Sequence, residues 1–318
     1  MKKRILFIFN PVSGQSQIRS SLMDILEILT EDGSEVICSP TRKKGDAYRS
    51  VLGRGRDCGM IVCAGGDGTL DEVVNGMMEA KDLPVIPIGF IPCGSTNDFA
   101  ASIGIPFDLE EAARITKSGH IRNLDIGFIR GDSGKTKERI SQQHFVYVAA
   151  FGLFTEVSYG TPQDLKNAFG HMAYLIQGVQ ELGNLKTYHI SVESDELTIS
   201  DDFLFGMISN SQSVGGFSNI TGTDVDLDDG VFEVTLIKEP RNILEISDVL
   251  QILNRSKAES ELVYQFRTKH ITLKSEKKLS WTLDGEYGGA FRKSEISVLP
   301  GKMKFISPGT EREKKSQS

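Results

Sequence analysis

Over its first hundred residues the chain repeats one pattern: an apolar run, a cluster of glycine or small polar residues, then a stretch with helical spacing. The apolar runs are "RILFIFN", "SEVICS", "GMIVCA" and "VIPIGF", and between them lie "IRSSLMDILEIL", "GDAYRSVLGRG" and "LDEVVNGMMEA". Few folds accept this alternation. Parallel strands cannot be joined by tight turns, so helices return the chain and cover both faces of the sheet. Ligands of such α/β sheets bind beyond the carboxyl ends of the strands. Every polar or glycine-rich cluster here falls at such an end: "NPVSG" (10–14), "SPTRKKGD" (39–46), "GGDGT" (65–69) and "PCGSTND" (92–98).

After about residue 122 the period shortens to two. Runs such as "QHFVYVAAF", "TYHISVES", "FLFGMISN", "GVFEVTLIK", "RTKHITLKS", "KLSWTLDGE" and "SEISVLPGK" predict a second domain of mostly antiparallel sheet, with helical insertions near 164–182 and 242–256. The expected division is an α/β domain over 1–122, a β-rich domain over 123–308 and a disordered tail over 309–318, "GTEREKKSQS" having no apolar anchor. A length of 318 residues suits two domains.

Charge and hydropathy exclude several functions. A net charge of -7 argues against nucleic acid as main partner, although "TRKK" (41–44) and "GKTKER" (134–139) could face anionic lipid. The start "MKKRILFIFNP" imitates a signal peptide, but its apolar run, Ile5 to Phe9, is too short and reads as a buried strand. No stretch approaches the roughly 20 apolar residues of a membrane span, which leaves peripheral contact with a bilayer. Cys38, Cys58, Cys63 and Cys93 lack CxxC pairing and read as small core residues in a reducing cytoplasm.

Common catalytic signatures fail. "GDSGKT" (131–136) ends like a P-loop, yet Ile129 stands where the first glycine belongs. The five histidines form no HExxH or Cys/His cluster, and no G-x-S-x-G occurs. What remains is a glycine-rich strand-to-helix turn, "GGDGT", whose backbone amides and helix N-terminus attract phosphate. Asp67 within it should repel phosphate, unless a divalent metal mediates or the aspartate belongs to the reacting chemistry. Thr69, Glu72 and Asn75 project near that helix start, where they could meet a nucleotide or simply hydrogen-bond along the helix. Further carboxylates stand at turns: Asp98 after "GSTN", Asp125 in "NLDIG", and Asp284 and Glu286 in "TLDGE". On an extended segment Asp284 and Glu286 would share a face and could divide acid/base labour. In isolation "LDGE" reads rather as a hairpin turn with solvated acids. The acidic "TDVDLDDGVF" (223–232) lacks EF-hand spacing and suits either one hard cation or a solvated turn.

In this order, "NPVSG", "GGDGTLDEVVNG", "GSTNDFA", "LDIG", "DDGVFEV" and "LDGE" resemble the bacterial diacylglycerol kinase family, soluble lipid kinases related to sphingosine kinases; the match runs from about Lys3 to Ser307. The resemblance implies a Rossmann-like N-terminal domain, a C-terminal β-sandwich, and an active site in the cleft between them. It implies ATP at Asn10, Pro11, Val12, Ser13, Gly14, Thr41, Gly66, Asp67, Gly68, Thr69, Leu70, Asp71, Glu72, Ser95 and Asn97. By the same resemblance Asp67, Asp98 and Asp125 form an aspartate network that binds catalytic Mg²⁺ through water. Asp284 and Glu286 are the catalytic pair, one of them the base. Asp226, Asp229 and the Val231 carbonyl hold a structural Mg²⁺. The implied reaction is phosphorylation of a lipid hydroxyl at a membrane surface by a cytoplasmic, peripheral enzyme of phospholipid metabolism; homodimers occur among such kinases. Two positions depart from the family pattern: Ala101 stands where arginine is frequent, and Tyr147 where asparagine is. "FGLFTEVSYG" and "FGHMAYLIQGVQEL" are candidates for an acyl pocket, or ordinary core. The rivals are an NAD kinase, which also carries "GGDGT", and a nucleotide-binding regulator without catalysis.

Overall fold

The computed structural model describes residues 4–80, 82–133, 140–152, 186–211, 213–214, 217–218, 225–253 and 260–309. The chain divides into two compact units, residues 1–124 with 301–318, and residues 125–300. The tail after 309, the "GKTKER" cluster, the acyl-pocket candidate "FGHMAYLIQGVQEL" and all of "FGLFTEVSYG" after Gly152 lie outside the described residues; Phe151 itself is buried core.

In the first unit the strands are β1 (Arg4–Phe9), β2 (Glu35–Pro40), β3 (Met60–Gly65) and β4 (Ile88–Pro92). They are all parallel, in the order β4-β3-β1-β2. Helices α1 (Gln17–Ser20), α2 (Leu22–Thr30), α3 (Asp46–Arg54), α4 (Asp67–Glu79), α5 (Asp98–Ser102) and α6 (Leu109–Ser118) connect and cover them. After the exposed Arg4, β1 is apolar, as is β3, because both their faces are covered: Leu6, Phe7, Ile8, Ile61, Val62 and Cys63 are fully buried. Ile25, Ile28 and Leu29 of α2 and Leu70, Val73, Val74 and Met77 of α4 are buried as well, at helical spacing; α4 packs on β3, and α2 on β2 and α6. The chain leaves β1 toward β2 on one side and adds β3 on the other. Such a reversal opens a crevice beyond the carboxyl ends of the two strands. There the Asn10 N–H donates to the Ala64 carbonyl at 2.9 Å.

The second unit comprises the rest of β5 (His120–Asp132), then β6 (Ile140–Phe145), β7 (Val148–Gly152), β8 (Tyr188–Ser194), β9 (Thr198–Ser209), the short pair β10 (Ser213–Val214) and β11 (Phe217–Ser218), β12 (Phe232–Lys238), β13 (Val263–Thr268), β14 (His270–Leu283) and most of β15 (Glu286–Ser307). A helix, Ile243–Leu253, fills the second expected insertion; the first lies outside the described residues. β9 and β14 are long enough to be bridged twice, by β7 and by β8, so the antiparallel sheet folds over itself. The enclosed core centres on Trp281, fully buried, edge-on to Phe151 at 5.2 Å with its indole N–H donating to the Ser294 hydroxyl at 2.8 Å. An indole needs such a partner once water is excluded.

The structure departs from the sequence reading in four places. Residues 301–307, expected in the β-rich domain, lie in the first unit, where Phe305 pairs in parallel with Ile88 and its ring meets Phe99 at 4.7 Å. α6 was not anticipated; its N-cap Asp108 accepts the Glu111 N–H at 2.9 Å, the reason "DLEEAARITKS" starts where it does. The run "QHFVYVAAF" is two strands, broken at Val146–Tyr147. Cys38 is exposed, because β2 is the sheet's edge strand; the other three cysteines are buried.

Candidate functional site

The four loops at the carboxyl ends of β1 to β4 are locked to one another. After β1 the Asn10 side chain accepts the Val12 N–H at 3.1 Å, turning the chain so that the Ser13 hydroxyl donates to the Cys93 carbonyl at 3.0 Å. Gly14 follows with φ +52°, and a side chain there would overlap that same carbonyl. Gly66, the N-cap of α4, meets Gly94 of the loop after β4 backbone to backbone. A Cβ on Gly94 would lie 2.6 Å from the Gly66 Cα. Two chains this close expose amides rather than side chains, as binding of a phosphate group requires. Asn97, in the left-handed region at φ 54°, clamps Gly94 from both sides: its Oδ1 accepts the Gly94 N–H at 2.8 Å and its Nδ2 donates to the Gly94 carbonyl at 2.9 Å.

Within "GGDGT" the structure separates roles that the sequence ran together. The Asp67 carboxylate accepts the Asp98 N–H at 3.3 Å and the Phe99 N–H at 3.4 Å, so it caps the start of α5. Asp98 itself is buried. Thr69 is half-buried, its hydroxyl against the Gly65 backbone; Leu70 is core, so only its main chain is available to a ligand. The Asp71 carboxylate takes the Asn75 amide at 2.8 Å. Glu72 reaches away from the helix start: its two oxygens accept the Gly45 N–H at 2.6 Å and the Ala47 N–H at 3.0 Å, capping α3. The loop carrying Thr41 is held by Asp46, which accepts the Arg42 and Lys43 N–H groups at 2.8 and 3.0 Å. Its carboxyl is lowered to about 2 by Arg49 first and by those amides. Among the predicted contacts Val12 and Ser95 are exposed, and Pro11, Ser13, Gly68 and Thr41 are partly so.

The second unit holds the other carboxylates, and backbone amides hold several of them. Asp125 is buried; its Oδ2 accepts the Gly230 N–H at 2.6 Å and its own N–H donates to the Leu227 carbonyl at 2.9 Å. It therefore shapes the turn containing Asp226 and Asp229. Asp284 and Gly285 form a two-residue hairpin loop with φ 48° and 85°, not the extended segment expected, and Leu283 pairs Glu286 across it. Asp-Gly is the pair that tolerates such angles. The turn sends the two acids apart. Asp284 is buried and accepts three consecutive N–H groups, from Val146 at 2.5 Å and from Tyr147 and Val148 at 3.0 Å each. Those amides break the run "FVYVA" into two strands. Burial raises the Asp284 carboxyl to about 6, with the three donors pulling the other way. Glu286 is exposed.

At the 225–231 turn Asp226 is exposed, while Asp229 accepts the Val231 N–H at 3.1 Å and pairs with the Arg267 guanidinium. Beside it Glu233 is buried. Its Oε1 takes the Arg267 Nε–H at 3.2 Å and its Oε2 has no partner, and burial pushes its carboxyl up to about 7. The Oδ1 of Asn210, buried where its amide donates to the Leu227 carbonyl, also lacks a partner. Among the described residues no three acidic, His or Cys side chains converge into a ready metal cluster. A few hard oxygen donors with open positions fit Mg²⁺, which keeps several waters, better than an ion needing a full protein cage. Gly94 and Glu233 fall inside "GSTNDFA" and "DDGVFEV" but had no role of their own in the sequence reading, and neither Arg267 nor the 146–148 amides had one.

Residues 4–129 match the diacylglycerol kinase catalytic domain, and residues 151–307 the YegS C-terminal NAD kinase beta sandwich-like domain. A diacylglycerol kinase of Staphylococcus saprophyticus subsp. saprophyticus is 32% identical over 291 residues, 91% of this chain and 90% of that protein. One of Staphylococcus aureus is 33% identical over 292 residues, covering 91% and 88%. A solved diacylglycerol kinase of Bacillus anthracis str. Sterne superposes with a TM-score of 0.71 over 98% of both chains at 22% identity. Yeast NADH kinase superposes at 0.55 over 98% of this chain and 85% of its own, with 10% identity. At these identities the two structures show likeness of fold alone.

Proposed function

Because the chain belongs to the bacterial diacylglycerol kinase family, we propose that it transfers the γ-phosphate of ATP, with Mg²⁺, to a lipid hydroxyl, diacylglycerol first among acceptors, giving a phosphatidate-type product. That it is a kinase is carried by the relatives and the catalytic-domain match; the donor, the metal and the acceptor are the proposal. The observation that supports it most is the backbone approach of Gly66 to Gly94 at the start of α4, a cradle for phosphate beside the crevice of a parallel sheet.

In this reading the amides of Asn10 to Gly14 and of Gly66 to Thr69 hold the phosphates, with Thr41, Ser95 and Asn97 around the nucleotide. Asp67, Asp98 and Asp125 would hold Mg²⁺ through water, and the ion supplies charge neutralisation to the transferring phosphoryl group. Asp226, Asp229 and the Val231 carbonyl would hold a second, structural ion. Glu286, exposed, takes the proton from the lipid hydroxyl; Asp284, tied to three amides, fixes the hairpin that presents it. The acceptor O–H bond breaks as its oxygen bonds the γ-phosphorus, and ADP leaves with the bridging oxygen. With a divalent ion bound, Asp67 would face its charge rather than bare phosphate, which would remove the conflict of an acid in an anion cradle.

No helix among the described residues is long and apolar enough to cross a membrane. In the proposed reading the enzyme reaches its lipid by peripheral contact from the cytoplasm, and the net charge of -7 speaks against nucleic acid as its main partner. The test is transfer of labelled γ-phosphate from ATP to a panel of lipids in mixed micelles, with NAD⁺ as a parallel acceptor. Label in one lipid class, absent in Glu286→Gln, supports the reading and names the acceptor. Label in NAD⁺ alone would assign the chain the other activity of this fold, and ATP binding without any transfer would make it a regulator.

A further inference from the structure

The Asp229 carboxylate has two claimants. Its Oδ1 is taken by the Val231 N–H, which leaves Oδ2 as the oxygen to meet a cation, and Oδ2 is held by Arg267. Arg267 of β13 stands directly across from Glu233 of β12 and already donates its Nε–H to Oε1 at 3.2 Å, while Oε2 stays buried without a partner. A guanidinium is a planar fork that binds a carboxylate through two parallel hydrogen bonds. Here the fork is divided between two acids, and one of them has an oxygen to spare.

We propose that Arg267 is a built-in competitor of the divalent cation at the 225–231 turn, and that Glu233 receives its guanidinium when the cation takes Asp229. The inference rests on the proposed Mg²⁺ at Asp226, Asp229 and the Val231 carbonyl. Without the cation, Arg267 neutralises Asp229 and Glu233 keeps an unsatisfied oxygen. With it, Asp229 is neutralised by the ion, and the pivoted guanidinium pairs both Glu233 oxygens. With the ion bound, the exchange leaves neither Glu233 oxygen unpaired. An ordinary structural ion pair has no reason to leave Oε2 unpaired within reach of a fork that could fill it.

The experiment is thermal unfolding of the full chain, freed of metal and without nucleotide, titrated with Mg²⁺ at one fixed pH. The wild type should gain melting temperature with a certain half-maximal Mg²⁺ concentration. Arg267→Met removes the competitor and should lower that concentration about tenfold, whereas Glu233→Gln removes the receiver and should raise it several-fold. Opposite displacements are the signature. If both variants merely lose stability by the same amount at every Mg²⁺ concentration, the pair is structural and the proposal fails. It fails too if the wild type shows no response to Mg²⁺. Phosphate transfer to lipid by the same wild-type preparation keeps that failure distinct from failure of the kinase reading.

Discussion

Asp284 and Glu286 stand two residues apart and do different work because of a change in φ. The left-handed turn buries Asp284 against three amides and leaves Glu286 exposed. Glu286→Gln should abolish lipid phosphorylation while moving stability by less than about 0.5 kcal/mol, as surface substitutions do. Asp284→Ala should lose turnover and also about 3 kcal/mol or more, since three N–H groups lose their acceptor; chemical denaturation read beside activity separates the two. The raised Asp284 carboxyl also predicts a pH dependence. The folded state holds that proton more tightly than the unfolded chain, so its contribution is fully present below about pH 4 and lost as pH rises through about 6. Melting curves of the wild type should decline across that window and those of Asp284→Asn should not. The acids themselves were legible in "LDGE", and the separation of their surroundings was not: the partners of Asp284 lie 136 to 138 residues away.

At the scale of elements, two helix starts are held by side chains of another helix. Glu72 of α4 caps α3, and Asp67 caps α5. Glu72→Ala should cost about 1 kcal/mol as a lost cap and free the Thr41 loop; an increased rate of amide exchange at Gly45 and Ala47 checks this. If Glu72 served only the nucleotide, those amides would exchange as before. Gly94→Ala should be worse, because its Cβ would push into the Gly66 backbone at 2.6 Å. We expect weakened ATP binding in that variant with little change in the second unit's core. The sequence announced the strand-to-helix turns because glycine, a short polar residue and the following helical period are all local signals. It could not announce that Glu72 turns toward α3, since the angle between two helices is decided by packing.

For the whole molecule, the order of strand, loop and helix in the first unit and the switch to antiparallel sheet were legible along the chain, because hydrophobic period depends on near neighbours. The return of the C-terminus was not. Residues 301–307 complete the first unit: Phe305 is fully buried beside Ile88 and Phe99. A chain ending at Pro300 should therefore lose cooperative unfolding of the first unit, although residues 1–124 remain intact; calorimetry of the shortened chain is the measurement. Period, turn chemistry and the order of motifs were enough to identify an α/β unit with glycine-rich strand-to-helix turns, a β-rich partner and a lipid-kinase resemblance. Which carboxylates are fixed by backbone amides, which is exposed, and which pair with Arg267 was decided only by tertiary structure. A carboxylate's task depends on the donors packed around it, and here those donors come from strands and loops far away in sequence.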